Sequence, residues 1–150
     1  MNTENLIKAN IFISGHRDLT REEFKTYYCH VIDAYINWIN VETNLGKKQV
    51  TFYVGDCEGC DRFAIEYLVG KLNRNIKLVI CALKEKFDGQ INYDLCINNN
   101  LSVLKEFNTH EERDCYMTEQ TEYDILWVRE GKWSSGTAQN YVRRTWHVKS

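Results

Sequence analysis

Three short stretches of this chain bring small residues together with groups that can do chemistry: Ser14-Gly15-His16-Arg17, Gly55-Asp56-Cys57 and Trp133-Ser134-Ser135-Gly136-Thr137. The last reads as a small-residue turn opening a helix. Such a turn presents unpaired backbone N–H groups at the positive end of a helix dipole; Ser134, Ser135 and Thr137 add hydroxyls, and Gly136 lacks the Cβ that would block close approach. An anion fits that chemistry. So does a plain helix cap, the commoner use of serine at such a boundary. Arg17 has the planar guanidinium that grips a phosphate with two hydrogen bonds, or that pairs with Asp18 or Glu22 on the surface. The His16 imidazole can donate to phosphate or shuttle a proton, although a lone loop histidine commonly does neither.

Asp56 is the carboxylate best placed for catalysis: it ends an apolar run, where it can accept from sugar hydroxyls or act as a base if its pKa is raised. Asp61, Asp114 and Glu130 are the other candidates, and Asp61 also suits a helix N-cap. Arg113 with Asp114 either reaches the same pocket or forms an exposed helix pair. Asn140, one helical turn beyond Gly136, offers amide hydrogen bonds to a sugar or base. Trp133, Tyr53 and Trp127 carry rings that stack on a base, Trp133 as the exposed candidate and Trp127 as core. Cys57-Glu58-Gly59-Cys60 has redox or zinc spacing. Yet no second Cys-x-x-Cys or His pair completes four ligands, and a thioredoxin-type site needs a cis-proline that this proline-free chain lacks. Neither a metal nor a cofactor is expected.

The elements that position these groups follow from periodicity. Ile7 to Ser14 is a buried first strand ending at Gly15. Thr20 and Glu23 have capping-box spacing, and Phe24, Tyr28, Val31, Ile32, Tyr35 and Ile39 recur with helical period, predicting a helix to about Val41. Gln49 to Val54 is a second strand, Cys57 to Asp61 leads into a helix burying Phe63, Ala64, Tyr67, Leu68 and Leu72, and Ile76 to Leu83 is a third strand. Residues 84 to 109 are polar and rich in Asn, with a short helix expected around Leu101 to Phe107. Thr109 to Glu112 opens another helix, Tyr123 to Val128 is a fourth strand, Ala138 to about Arg144 the last helix, and Trp146 to Ser150 a tail. The alternation predicts an α/β fold, a Rossmann-like parallel sheet of four to five strands with helices on both faces. Ligands of such sheets sit outside the carboxyl ends of the strands, where the three turns would meet.

With 150 residues, the chain suits one domain spanning 1–150, and 43% apolar with 27% charged residues suits a globular one. Lys plus Arg number 19 against 21 Asp plus Glu, so nucleic acid is not the expected partner. Met1 to Asn5 lacks signal-peptide character and no apolar run approaches ~18 residues, so no membrane association is expected. The six cysteines, at 29, 57, 60, 81, 96 and 115, sit mostly in apolar patterns and read as reduced thiols of a cytoplasmic protein. Surplus tyrosines on the first helix, Tyr27, Tyr28 and Tyr35, suit a homodimer or higher homo-oligomer, although core burial accounts for most of them.

Ile13-Ser14-Gly15-His16-Arg17, Val54-Gly55-Asp56 with Gly59 and Asp61, and Ser134-Ser135-Gly136-Thr137 together resemble the SLOG superfamily. This is the Rossmann-like group related to the DprA/Smf proteins, the LOG enzymes and the YpsA/YspA-type proteins. The resemblance covers nearly the whole chain in order, except residues 84 to 109, and the order of the motifs is its specific part. Arg113-Asp114 ahead of Met117-Thr118 is similar to a pair in the YspA-like branch. The resemblance implies recognition of a nucleotide or nucleotide-derived small molecule by the glycine-containing turns. Enzymes of this group cleave or exchange N-glycosidic bonds with a Glu that corresponds to Asn140 here. An amide cannot serve as that nucleophile or base.

Binding or sensing of such a ligand is therefore the expected function. A nucleoside or nucleotide N-glycosidase or phosphoribohydrolase with a replacement carboxylate is one alternative, and a self-assembling interaction module is another.

Overall fold

Apolar side chains alternate with a period of two along three strands, and both halves of each alternation are buried. The computed structural model describes residues 6–41, 46–83, 102–132 and 135–149. Strand β1 (Leu6–Ile13) sends Ile11 and Ile13 to one face and Phe12 to the other. Strand β2 (Lys47–Val54) divides Val50, Phe52 and Val54 from Tyr53, and β3 (Ile76–Leu83) divides Leu78 and Ile80 from Val79 and Cys81. Burial on both faces is the mark of a parallel sheet covered on both sides. With β4 (Ser102–Phe107) and β5 (Tyr123–Ile125) these strands form one all-parallel sheet in the order β4-β3-β2-β1-β5.

The helices follow the crossovers. Thr20 caps α1 (Arg21–Phe24) through the expected capping box, with Glu23 N–H donating to Thr20 Oγ1 at 3.1 Å and Thr20 N–H to Glu23 Oε1 at 3.0 Å. The helix continues through a π-helical turn, Lys25–Cys29, into α2 (His30–Asn40). At its end Lys48 Nζ donates to the carbonyls of Trp38 and Val41, so a buried ammonium satisfies the last turn. Helix α3 (Cys60–Val69) packs on the same face of the sheet. The opposite face is covered by α4 (His110–Gln120), whose Met117 joins Phe12, Val79 and Cys81. Helix α5 (Gly136–Lys149) closes the described chain. Strands β1 to β3 step one way across the sheet and the link from β4 to β5 crosses back. Crossovers of one hand then put α1 to α3 and α4 on opposite faces.

The fold is thus the expected Rossmann-like α/β arrangement, with five strands. Four local expectations change. The segment expected as a helix around Leu101 to Phe107 is strand β4: Leu104 packs on one face, Phe107 on the other, and pairing with β3 overrides the polar composition. The strand expected to reach Val128 ends at Ile125, because the next amides leave the ladder for side chains, Trp127 N–H for Tyr28 Oη and Arg129 N–H for His16 Nε2. The α3 N-cap is Gly59, at φ +73°, where a Cβ would strike the carbonyl of Arg17; Asp61 lies in the first turn of the helix and accepts from Cys57 N–H instead. The last helix runs past Arg144 to Lys149, into the expected tail. No helix among the described residues is long and apolar enough to cross a membrane.

Candidate functional site

Strand order reverses at β1, whose neighbours are β2 and β5. Register pairs Ile13 with both Val54 and Ile125, so the carboxyl ends of the three strands are level. The crevice outside such a switch point is where open α/β sheets hold ligands. A cavity of about 570 Å³ lies there, in the size range of small-molecule sites. Turns after β1 and β2, the first turns of α4 and the start of α5 line it.

The β1 turn is tight because Gly15 must be small. A Cβ there would lie 2.5 Å from both Tyr28 Oη and Cys60 Sγ. Ser14 lines the cavity; it is only 5% exposed, and its Oγ has no hydrogen-bond partner among the described residues. His16 is buried, accepts from Arg129 N–H at 2.8 Å through Nε2, and meets Trp127 edge-on. Burial and the nearby Arg129 cation hold its pKa below the usual value, so the ring is neutral in the role of acceptor. Arg17 opens onto the cavity, with Nη2 3.2 Å from His110 Nε2. The surface carboxylates Asp18 and Glu23 bind Arg129 instead.

The β2 turn supports a buried charge cluster. Asp56 does not line the cavity: its Oδ2 accepts from Leu83 N–H at 3.1 Å and its Oδ1 from Arg113 Nη1 at 2.8 Å, with the pair almost wholly enclosed. Asp56 therefore anchors Arg113 rather than facing a ligand. Arg113 Nε also reaches Asp114 Oδ1 at 3.0 Å. Burial works against the guanidinium charge, but Asp114 and Asp61 outweigh it and hold the pKa above the usual value. Asp61 does line the cavity, with Oδ2 fixed by Cys57 N–H at 3.0 Å. Burial pushes its pKa up to about 7, opposed by Arg113. Gly55 makes this crowding feasible, since a Cβ would sit 2.7 Å from Asp61 Oδ2 and 3.3 Å from Arg113 Cζ.

On the β5 side, Ser135 Oγ accepts from Ala138 N–H at 3.2 Å and caps α5. Gly136 and Thr137 follow on the cavity wall, and a Cβ on Gly136 would meet nothing within 4 Å. Their amides have no acceptor among the described residues. One turn on, Asn140 Oδ1 accepts from Arg143 Nη1 at 2.5 Å, and both residues line the cavity.

Of the residues singled out in the sequence, Gly15, His16, Arg17, Gly55, Arg113, Ser135, Gly136, Thr137 and Asn140 line one cavity. Asp56 lies behind it, and Trp133 and Ser134 fall outside the described residues. Asp61 and Asp114, weighed as lesser carboxylates, are at the wall. Ser14, Cys57, His110, Glu111, Gln139 and Arg143 line it as well without having been singled out as ligand contacts. Helical spacing from Gly136 was the available signal for Gln139 and Arg143. Among the described residues no group of three or more His, Cys, Asp or Glu side chains is arranged to hold a metal. Cys57 and Cys60 are free thiols, and burial raises the pKa of both, which disfavours the reactive thiolate.

Fold and cavity together define a doubly wound α/β protein with a polar switch-point pocket. No protein-family model, curated protein or solved structure matches the chain.

Proposed function

We propose that the protein binds or senses a nucleotide or nucleotide-derived small molecule, with its phosphate on the first amides of α5. One observation carries this reading: amides at Gly136 and Thr137 that have no acceptor among the described residues share a switch-point cavity with Arg17 and Arg143. Helix-terminal N–H groups and guanidinium forks are the two commonest protein partners of phosphate. The resemblance of the same turns to the SLOG superfamily points the same way. In this reading Arg143 orients Asn140, whose amide bonds to sugar or base, and Arg113 is held rigid by Asp56. The protein acts in the cytoplasm as a homo-oligomer, using exposed aromatics such as Tyr27, Tyr123 and Tyr141.

Thermal shift against nucleoside monophosphates, cyclic dinucleotides and sugar phosphates tests the reading, since a ligand at about 100 times its Kd stabilises a fold by about 2.7 kcal/mol. Absence of any shift across the panel overturns it.

A second reading, an N-glycosidase or phosphoribohydrolase on the same scaffold, is favoured by Asp61. Its carboxyl group lines the cavity and, with a pKa of about 7, supplies both an acid and a base near neutrality. Free base released in the shift samples would convert the binder into an enzyme, and its absence with bound ligand would sink the hydrolase.

A further inference from the structure

Past Ile125 the chain runs towards α5 without strand pairing among the described residues, and a series of hydrogen bonds that begins on His16 sets its course. Arg129 N–H donates to His16 Nε2 at 2.8 Å, Lys132 N–H to the Arg129 carbonyl at 2.9 Å, and Ser135 N–H to the Lys132 carbonyl at 3.1 Å. Ser135 Oγ then accepts from Ala138 N–H at 3.2 Å, in the first turn of α5. Each bond fixes the next, from the turn after β1 to the helix start that walls the cavity. Gly131, at φ +82° with nothing within 4 Å of its Cβ position, is a flexible joint inside the series.

His16 is the fixed end. Its carbonyl accepts from Leu19 N–H and Cys60 N–H, each at 3.2 Å, which ties its backbone to the turn before α1 and to the start of α3. Because Nε2 is the acceptor, the ring proton is on Nδ1, and a second proton on Nε2 would set two donors face to face. The charges around the ring decide what that proton costs. Arg129 and Lys132 on the link repel it, while Asp18 in the same turn and Glu23 on α1 attract it. Farther round the cavity Arg17, Arg113 and Arg143 face Asp61, Glu111 and Asp114, whose opposite charges largely offset one another, and His110 stands beside Arg17. Asp18 and Glu23 are committed to the Arg129 guanidinium at 2.9 and 2.8 Å, and those bonds hold both carboxyl groups below the usual range. They stay ionised when the ring is protonated. The Arg129 side chain then tethers the link while its main chain parts from the ring.

We propose that His16 is a proton-sensitive positioning residue for α5: as neutral imidazole it pins the link through the Arg129 amide, and as imidazolium it releases the link and shifts the first turn of α5, one wall of the cavity. The device acts on the shape of the pocket and holds for any ligand. Burial first, and Arg129 next, lower the pKa of His16, which agrees with a pin that is closed at neutral pH and opens below the usual 6.5.

Ring and amide NMR of the full chain, from about pH 7.5 to about pH 5, tests it, with hydrogen exchange read as protection factors so that the intrinsic pH dependence of exchange cancels. As the His16 ring takes up its proton, the Arg129 amide should lose about tenfold or more in protection, the equivalent of one hydrogen bond. The Lys132 and Ser135 amides should change with the same midpoint. Trp127 N–H, bound to Tyr28 Oη rather than to His16, should keep its protection. His16→Gln supplies an acceptor that does not titrate, and it should hold the Arg129, Lys132 and Ser135 amides constant over the range. The unmodified protein alone can sink the idea. A ring that protonates while Arg129 stays protected overturns the pin, and a change confined to Arg129 overturns its reach to α5. Loss of Trp127 protection at the same midpoint marks general unfolding and overturns the switch, as does a ring that stays neutral until the whole protein unfolds. The same midpoint persisting in His16→Gln assigns the transition to another group and overturns it too.

Discussion

The Tyr28 hydroxyl donates to the Ser14 carbonyl oxygen at 2.8 Å, beneath the turn that forms the centre of the pocket. The hydroxyl oxygen of Tyr28 in turn accepts from Trp127 N–H at 3.0 Å. One buried phenol thus joins the π-helical turn to the ends of both strands at the switch point, and enclosure raises its pKa well above the usual value. Tyr28→Phe removes both bonds and leaves the Trp127 amide without its partner. A loss of about 1–3 kcal/mol is expected, read from the urea midpoint at unchanged m-value.

Gly15 and Gly136 look alike in the sequence, yet they differ in what surrounds them. Gly15→Ala drives a methyl into Tyr28 Oη and Cys60 Sγ, both 2.5 Å from the Cβ position. It should cost about 1–3 kcal/mol, the usual range for overpacking. Gly136→Ala places its methyl in open space and has no positive φ to lose, so stability should hold or rise by up to about 1 kcal/mol. Chemical denaturation of the two variants in parallel checks the contrast.

Gly136→Asp separates stability from binding. Its side chain has room, and a carboxylate in the first turn of α5 complements the helix dipole, so the melting temperature of the free protein should hold. Beside a bound phosphate the same carboxylate repels. Stabilisation by phosphate-bearing ligands should disappear from the thermal-shift assay, and its survival would remove the anion from this turn.

The sheet and the convergence of its turns were readable because strand alternation and helical spacing are local signals. Strand β4 was not, since Lys105 and Glu106 mask the alternation of Leu104 and Phe107 and only pairing with β3 makes the segment extended. The end of β5 was equally hidden, because the partners of Trp127 and Arg129 are Tyr28 and His16, distant in the chain. Asp56 and Asp61 show the same limit within the site. Both follow β2, and sequence favours Asp56 for its place at the strand end; yet Arg113, more than fifty residues on, draws Asp56 behind the wall and leaves Asp61 facing the cavity. The role of Gly15 was hidden for the same reason, as its neighbours Tyr28 and Cys60 lie on other elements.

Asp61 and His16 give stability opposite pH slopes. Asp61 titrates near 3.8 when unfolded and about 7 when folded, so between these values the folded state binds the extra proton and stability falls as pH rises. The penalty is complete above about pH 7 and is on the order of 4 kcal/mol. His16 is lowered from 6.5, so the unfolded state binds the extra proton below that pH; its contribution is full above 6.5 and is lost as pH falls through the folded value. Asp61→Asn should therefore melt higher than the unmodified protein at pH 8, and the difference should shrink towards pH 4. With Asp61 absent, the rise of stability with pH up to about 6.5 from His16 should emerge more clearly. Melting curves of both proteins between pH 4 and 8 check this. An Asp61→Asn gain that is the same at both ends of that range would show that the carboxyl group is not held near 7 by burial.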